Sequence, residues 1–305
     1  MKRLPIMMII GVSLLAVGCG TPSSGSLGPA PTTTARSSSP ASPPASGTAG
    51  AAPSPSGQRP TATPAQGPAR ELGLQAWFSR NGKLFVTQRT VPATAGVGQA
   101  ALDRLLTGPS AAEYAAGLRS QIPAGTTLHG VRISAGIATA DLSSSFQAAA
   151  SPSAMPLRIA QVVYTLTQFP TVTGVRFAID GQGVTVVGGV PVQSPQTRAM
   201  YGGYLPAITV RSPVIGAQVT SPVTVSGTAD VFEATVSVRV LDSAGHEIAR
   251  TFTTASCGTG CRGGYSVTIS YSVPRTQPGT IEVFESSAKD GLPINVQLIP
   301  VTLAP

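Results

Sequence analysis

An α+β domain followed by an all-β sandwich is the architecture that the sequence predicts. Three observations carry that reading. Residues 71–190 mix hairpin signals with apolar residues at helical spacing. Residues 206–305 read as short alternating strands separated by regular turns. Ahead of both, residues 20–70 are so poor in large apolar side chains that they predict a disordered linker.

Residues 1–18 read as a signal peptide. Lys2 and Arg3 give a positive start, and Leu4–Val17 is an apolar run of fourteen residues. That run is too short to cross about 30 Å of hydrocarbon. It ends in "LLAVGC", which resembles the bacterial lipobox, with Ala16 where the pattern prefers Leu. The resemblance implies diacylglycerol on the Cys19 thiol, cleavage before it, and a membrane partner held through the lipid. Two or three acyl chains anchor firmly where one binds marginally. An ordinary secreted protein cut nearby is the alternative. The linker of residues 19–70 follows. Eleven of the 51 residues from 20 to 70 are proline, and Leu27 is the only large apolar one. Such a chain cannot offset its ordering entropy by burial. It would reach roughly 40 to 150 Å, depending on how extended it is.

The first domain, residues 71–190, opens with "LQAWFS" and "KLFVTQ" around Asn81-Gly82, the strongest short hairpin signal. Ala101, Leu102, Leu105 and Leu106 then recur at helical spacing until Gly108-Pro109. Ser110 and Glu113 have the spacing of a capping box and predict a short helix through Leu118. "IPAGTTLHGVRISAGIATADLSSSF" supplies two strands around Ala135-Gly136. From Met155 to Gln168 a longer helix puts Ile159, Val162, Val163 and Leu166 on one face, with Arg158, Gln161, Thr165 and Gln168 on the other. Pro170 ends it. Val175, Phe177 and Ile179 alternate as a strand into a turn at Asp180–Gly183.

Residues 191–205 read as a linker. In residues 206–305, Val236, Val238 and Val240 share one strand face, and "HEIARTFTT", "YSVTISY", "TIEVFESS" and "PINVQLIPVTL" continue the strand pattern. About seven strands with regular turns predict a β-sandwich.

Two resemblances follow. "IPAGTTLHGVRISAGIATADLSSSF", "LLTGP" and "VVYTLTQFPTVTGVRFAIDGQ" resemble the GerMN domain, named from sporulation and spore-germination proteins, over nearly all of 74–187. It implies a fold similar to the ring-building domains of envelope assemblies, used for protein–protein contacts, with no catalytic residues attached. "ITVRSPVIGAQVTSPVTVSGTADVFEATVSVRVLDSAGHEIA" and "ESSAKDG" resemble the Gmad-type immunoglobulin-like domain, over nearly the whole segment. With the lipobox, the pairing resembles an actinobacterial GerMN lipoprotein. Arg outnumbers Lys 16 to 2 after the signal peptide, a compositional hint of a GC-rich genome.

After the signal peptide the chain has 18 basic and 12 acidic residues, a net of +6. The charge is spread, with no basic stripe interleaved with aromatics, so nucleic acid is not expected as a partner. Of three cysteines, Cys257 and Cys261 remain after Cys19 and predict a disulfide in an oxidising compartment. A loop that small contributes only about 2 kcal/mol. A metal site would need two more ligands, and the only histidines are His129 and His246, so no metal is expected. "GTGCRG" at 258–263 matches G-x-G-x-x-G, but a strand pattern follows it where a dinucleotide site needs a helix. Asp141, Ser143–Ser145 and His129 invite a Ser-His-Asp reading, yet no G-x-S-x-G elbow is present. Asp141 with Asp180 as a carboxylate pair competes with the turn at Asp180-Gly181. Trp77 reads as core, and Tyr201 and Tyr204 as a contact patch or the cover of a domain seam.

The expectation is therefore a non-enzymatic envelope lipoprotein on the extracytoplasmic face of the membrane. It needs no cofactor, and it binds an unknown envelope protein or itself. The alternative is a binder of peptidoglycan or another cell-wall glycan. The main contact is expected in residues 71–190, with Arg158, Gln161, Thr165 and Gln168 as an outward interaction face carrying a single charge.

Overall fold

The computed structural model describes residues 70–148 and 154–305. The expected signal peptide, Cys19 and the proline-rich segment through residue 69 lie outside the described residues.

β1 (Glu71–Arg80) and β2 (Lys83–Pro92) pair antiparallel along their whole length. Asn81 and Gly82 turn the chain with φ of 52° and 72°, the paired positive values of a type I′ hairpin. α1 (Val97–Leu106) buries Ala101, Leu102 and Leu105, the stripe read from their spacing. α2 (Ala111–Ala115) opens on the capping box of Ser110 and Glu113. It stops short of Leu118 because Gly117 takes φ of 90° and the Leu118 N–H returns to the Glu113 carbonyl, a left-handed helix close.

β3 (Leu128–Ser134) and β4 (Ile137–Leu142) form a second hairpin. α3 (Ala154–Leu166) crosses over to β5 (Gly174–Ile179), which runs parallel to β4. β6 (Gln182–Gly183) completes a sheet in the order β3-β4-β5-β6. The short pair β7 (Val186–Val187) and β8 (Val190–Pro191) leads out of the domain. Residues 191–205, which read as a linker, are packed in the structure. Gln196 exchanges main-chain hydrogen bonds with Val175, and Val192 and Tyr201 are buried.

The second domain holds β9 (Ile208–Ser212), β10 (Gln218–Val219), β11 (Val223–Ala229), β12 (Thr235–Leu241), β13 (Glu247–Thr254), β14 (Gly263–Ile269), β15 (Gln277–Ser286) and β16 (Pro293–Leu303). They form the sheets β14-β11-β9 and β10-β16-β15-β12-β13. Val236, Val238, Val240, Ile281, Val283 and Ile299 are buried, as period-two alternation requires of one sheet face. Gly227 sits at a register shift between β11 and β9. A Cβ there would lie 1.8 Å from the Thr209 carbonyl oxygen, so the close approach needs glycine. One hydrophobic cluster runs from Trp77 and Leu102 through Tyr201 and Ile208 to Val301 and Leu303. The two domains therefore share a core instead of meeting across water.

Candidate functional site

The face of α3 expected to point outward is turned inward. Arg158 is 4% exposed, and Gln161 and Thr165 are 0% exposed. The reason lies in β1, which has β2 on only one side and so needs hydrogen-bond partners along its other edge. Gln168 supplies them for Gln75: its Nε2 donates to the carbonyl at 2.8 Å, and its Oε1 accepts from the N–H at 2.7 Å. Thr165 Oγ1 accepts from the Trp77 N–H at 3.3 Å. Gln161 Nε2 donates to the Trp77 carbonyl at 2.8 Å, and its Oε1 accepts from the Gln121 N–H at 2.7 Å. Ser79 then exchanges main-chain bonds with Arg119 at 2.8 Å. Arg158 donates to the carbonyls of Gln121, Phe146 and Ala148. Gln161, Thr165 and Gln168 thus act as a substitute strand for β1, while Arg158 ties the helix to the loops at Gln121 and Phe146–Ala148.

Of the Ser-His-Asp reading the structure brings His129 and Asp141 together, while the serine bonds go elsewhere. His129 Nδ1 lies 3.7 Å from Asp141 Oδ1, and its Nε2 lies 3.5 Å from Thr127 Oγ1. They border an open cavity of about 560 Å³ on the β3–β4 face. Ser143 Oγ accepts from the Thr127 N–H at 3.0 Å, and Asp141 Oδ1 accepts from the Gly181 N–H at 3.0 Å. The Ser144 N–H donates to Asp180 Oδ1 at 3.3 Å. Both carboxylates and the Ser143 hydroxyl hold turns together. Among the described residues no group of three His, Cys, Asp or Glu could hold a metal ion.

Cys257 and Cys261 are disulfide-bonded in the loop between β13 and β14. Gly258 and Gly263 of "GTGCRG" serve close packing there, and Gly260 takes φ of 96°. A Cβ at Gly263 would lie 2.1 Å from the Cys257 nitrogen.

The feature missed in the sequence is on the other domain. Cross-strand register places Phe252, Ser237 and Phe284 in one row across β13, β12 and β15. Arg250, Arg239, Glu282 and Leu298 form the next row. On this outer face Phe252 is 69% exposed and Leu298 46% exposed, with Val296 exposed beside Leu298 on β16. Arg239 bonds Glu282 at 2.8 Å, and Arg250 bonds Glu247 at 2.8 Å. The Arg239–Glu282 pair therefore lies on the two strands between Phe252 and Leu298, and exposed apolar side chains alternate with ion pairs across this face. Alternation marks which side chains share a face, but not which face stays uncovered.

Two comparisons decide what these domains are. Residues 77–185 match the family model Germane, described as "Sporulation and spore germination". Residues 207–292 match Gmad2, the "Immunoglobulin-like domain of bacterial spore germination". The chain joins a GerMN domain to a Gmad2 domain. The GerMN boundaries fall within the 74–187 read from the motifs, and the α+β and immunoglobulin-like folds are those expected.

Among solved structures, the first GerMN domain of the sporulation protein GerM from Bacillus subtilis is 26% identical, covering 42% of this chain and 98% of that one, with a TM-score of 0.37. The tandem GerMN domains of the same protein are 17% identical, covering 77% of this chain and 61% of that one, with a TM-score of 0.38. A Clostridium perfringens protein provisionally described as a lipoprotein is 21% identical, covering 42% and 89%, with a TM-score of 0.32. No curated protein gives a significant match.

Proposed function

We propose that this chain is a lipid-anchored cell-envelope protein whose GerMN and Gmad2 domains form a non-catalytic interaction module outside the membrane. One observation supports it most. The polar groups of the candidate reactive cluster are spent on turns, whereas exposed apolar side chains stand among ion pairs on the outer sheet face of the Gmad2 domain. A face that mixes exposed apolar groups with charge suits a protein partner. The inward face of α3 removes the reason for placing the contact on the GerMN helix, so the proposed contact moves to Phe252, Leu298 and their neighbours. The occupant we propose is another envelope protein; a second copy of this chain or peptidoglycan are the competing outcomes.

Photo-crosslinking in intact cells from position 252, with position 133 on the GerMN domain as control, tests this. The expected result is one defined adduct with another protein from position 252. Phe252→Asp together with Leu298→Asp should lower its yield about thirtyfold, as loss of a binding hot spot of about 2 kcal/mol does. Adducts from position 133 alone, self-adducts alone, or sedimentation of the protein with purified cell wall independently of both substitutions would each overturn the assignment.

The anchor has its own test. Among the described residues no helix is long and apolar enough to cross a membrane, and the proposed attachment rests on "LLAVGC" with Cys19. Cys19→Ala should abolish incorporation of a fatty-acid analogue and release the protein from the membrane fraction. Equal labelling of mutant and wild type would sink it.

A further inference from the structure

We infer that the seam between the GerMN and Gmad2 domains binds a small oxyanion, a carboxylate or a phosphate, in a cavity lined by Arg198, Arg211 and Arg262. The cavity has a volume of about 280 Å³. Trp77 and Tyr164 line it from the GerMN side, Thr209, Arg211 and Arg262 from the Gmad2 side, and Arg198 from the segment between. No aspartate or glutamate is among its lining residues. Among the described residues none of the three arginines forms an ion pair.

Two of the guanidinium groups are held in place by neutral acceptors. Arg198 Nε donates to Thr167 Oγ1 at 2.8 Å and its Nη2 to the Tyr164 carbonyl at 2.9 Å. Its guanidinium lies 4.7 Å from the Tyr164 ring centre and 5.6 Å from that of Trp77. Arg262 Nη2 donates to the Pro206 carbonyl at 2.6 Å, and its Nη1 to the Thr228 carbonyl at 3.3 Å. Such bonds fix position and leave the charge uncompensated. Burial pulls the pKa of both groups down, as it does for a cation without a close counter-charge. Asp230 acts on Arg262 through space only, and its Oδ1 accepts from the Gly260 N–H.

Arg211 is exposed and lines the same cavity. Three cations line this cavity with no carboxylate among its walls, which suits a bound anion. Pre-positioned guanidinium groups are also the donors best matched to carboxylate and phosphate. The volume is slightly under the roughly 300–1,000 Å³ of pockets for drug-sized ligands. It is large enough for a phosphate or one sugar acid.

Trp77, the chain's only tryptophan, stands in the wall and reports on occupancy. The test is a fluorescence titration of purified full-length protein with inorganic phosphate, with glucuronate, and with glucose as the neutral control. All titrations are made at constant ionic strength in sodium chloride. Saturable change with phosphate or glucuronate and none with glucose is expected. Which of the two binds more tightly separates a phosphate source from a sugar-carboxylate source. Arg211→Ala should weaken binding about tenfold or more. The Arg211 side chain makes no hydrogen bond among the described residues, so this variant should fold as the wild type by circular dichroism. Arg211→Glu should abolish binding. The inference fails if neither anion saturates, if chloride alone reproduces the signal, if glucose matches glucuronate, or if both folded Arg211 variants bind as the wild type does.

Discussion

Gln161→Leu is expected to destabilise the fold by about 3 kcal/mol, because it strands two main-chain groups at once. Gln161 is fully buried. Its amide nitrogen holds the Trp77 carbonyl, and its amide oxygen holds the Gln121 N–H. Leucine has nearly the same volume, so little of the loss would come from a cavity. Each orphaned buried group costs about 1–3 kcal/mol. Gln161→Glu separates the two bonds. It keeps an acceptor for Gln121 but loses the donor to Trp77 and buries a carboxyl, so it should be no milder than leucine at pH 7. Thr165→Val removes only the acceptor for the Trp77 N–H and should cost about 1 kcal/mol. Urea unfolding of the three variants gives the ranking. A loss below about 1 kcal/mol for Gln161→Leu would mean that the β1 edge is satisfied without the helix.

The same helix shows where sequence reading stops. Ile159, Val162, Val163 and Leu166 were legible as a buried stripe because their spacing is helical, and they are buried. The opposite stripe is polar, and polarity on one side of a helix ordinarily means solvent. Nothing in residues 155–168 records that the edge of β1, about ninety residues earlier, has no strand beside it. Local chemistry was readable: the type I′ turn at Asn81-Gly82, the capping box at Ser110, the pairing of Cys257 with Cys261 and the identities of both domains. What packs against what was not. Arg198, Arg211 and Arg262 come from the inter-domain segment, β9 and the disulfide loop. Phe252 and Leu298 share a sheet face only through two intervening strands. Residues 191–205 looked like a linker because of their Gly, Pro and Gln content, yet Gln196 and Tyr201 are buried and bond each other at 2.6 Å.

Glu113→Gln is expected to cost about 3 kcal/mol near neutral pH and to flatten the acid limb of the stability curve. Glu113 is 2% exposed and bonds three other residues. Arg89 meets it with two nitrogens, Nη1 at 2.8 Å and Nη2 at 2.6 Å. Thr87 Oγ1 donates to the same carboxylate, and the Ser110 N–H completes the capping box at 2.7 Å. Burial alone would raise the carboxyl pKa. The bonds from Arg89, Thr87 and Ser110, with the Arg89 charge, outweigh it and hold the pKa below the ordinary value. The sign then follows. The unfolded glutamate takes up a proton near pH 4.3, while the native one still resists. The unfolded chain therefore binds more protons in that range, and stability falls as pH drops through it. Above that range the contribution is fully present. Glutamine carries no charge to lose, so its variant should lack this part of the acid dependence. It also leaves Arg89 without its counter-charge, although Arg89 is 19% exposed and can recover some hydration. Urea unfolding at pH 7, 5 and 3.5 makes the comparison. The gap between wild type and Glu113→Gln should be widest at pH 7 and narrow by pH 3.5. A constant gap would show that the carboxylate acts only as a neutral acceptor, and that its charge does nothing to bind α2 to the β1–β2 hairpin.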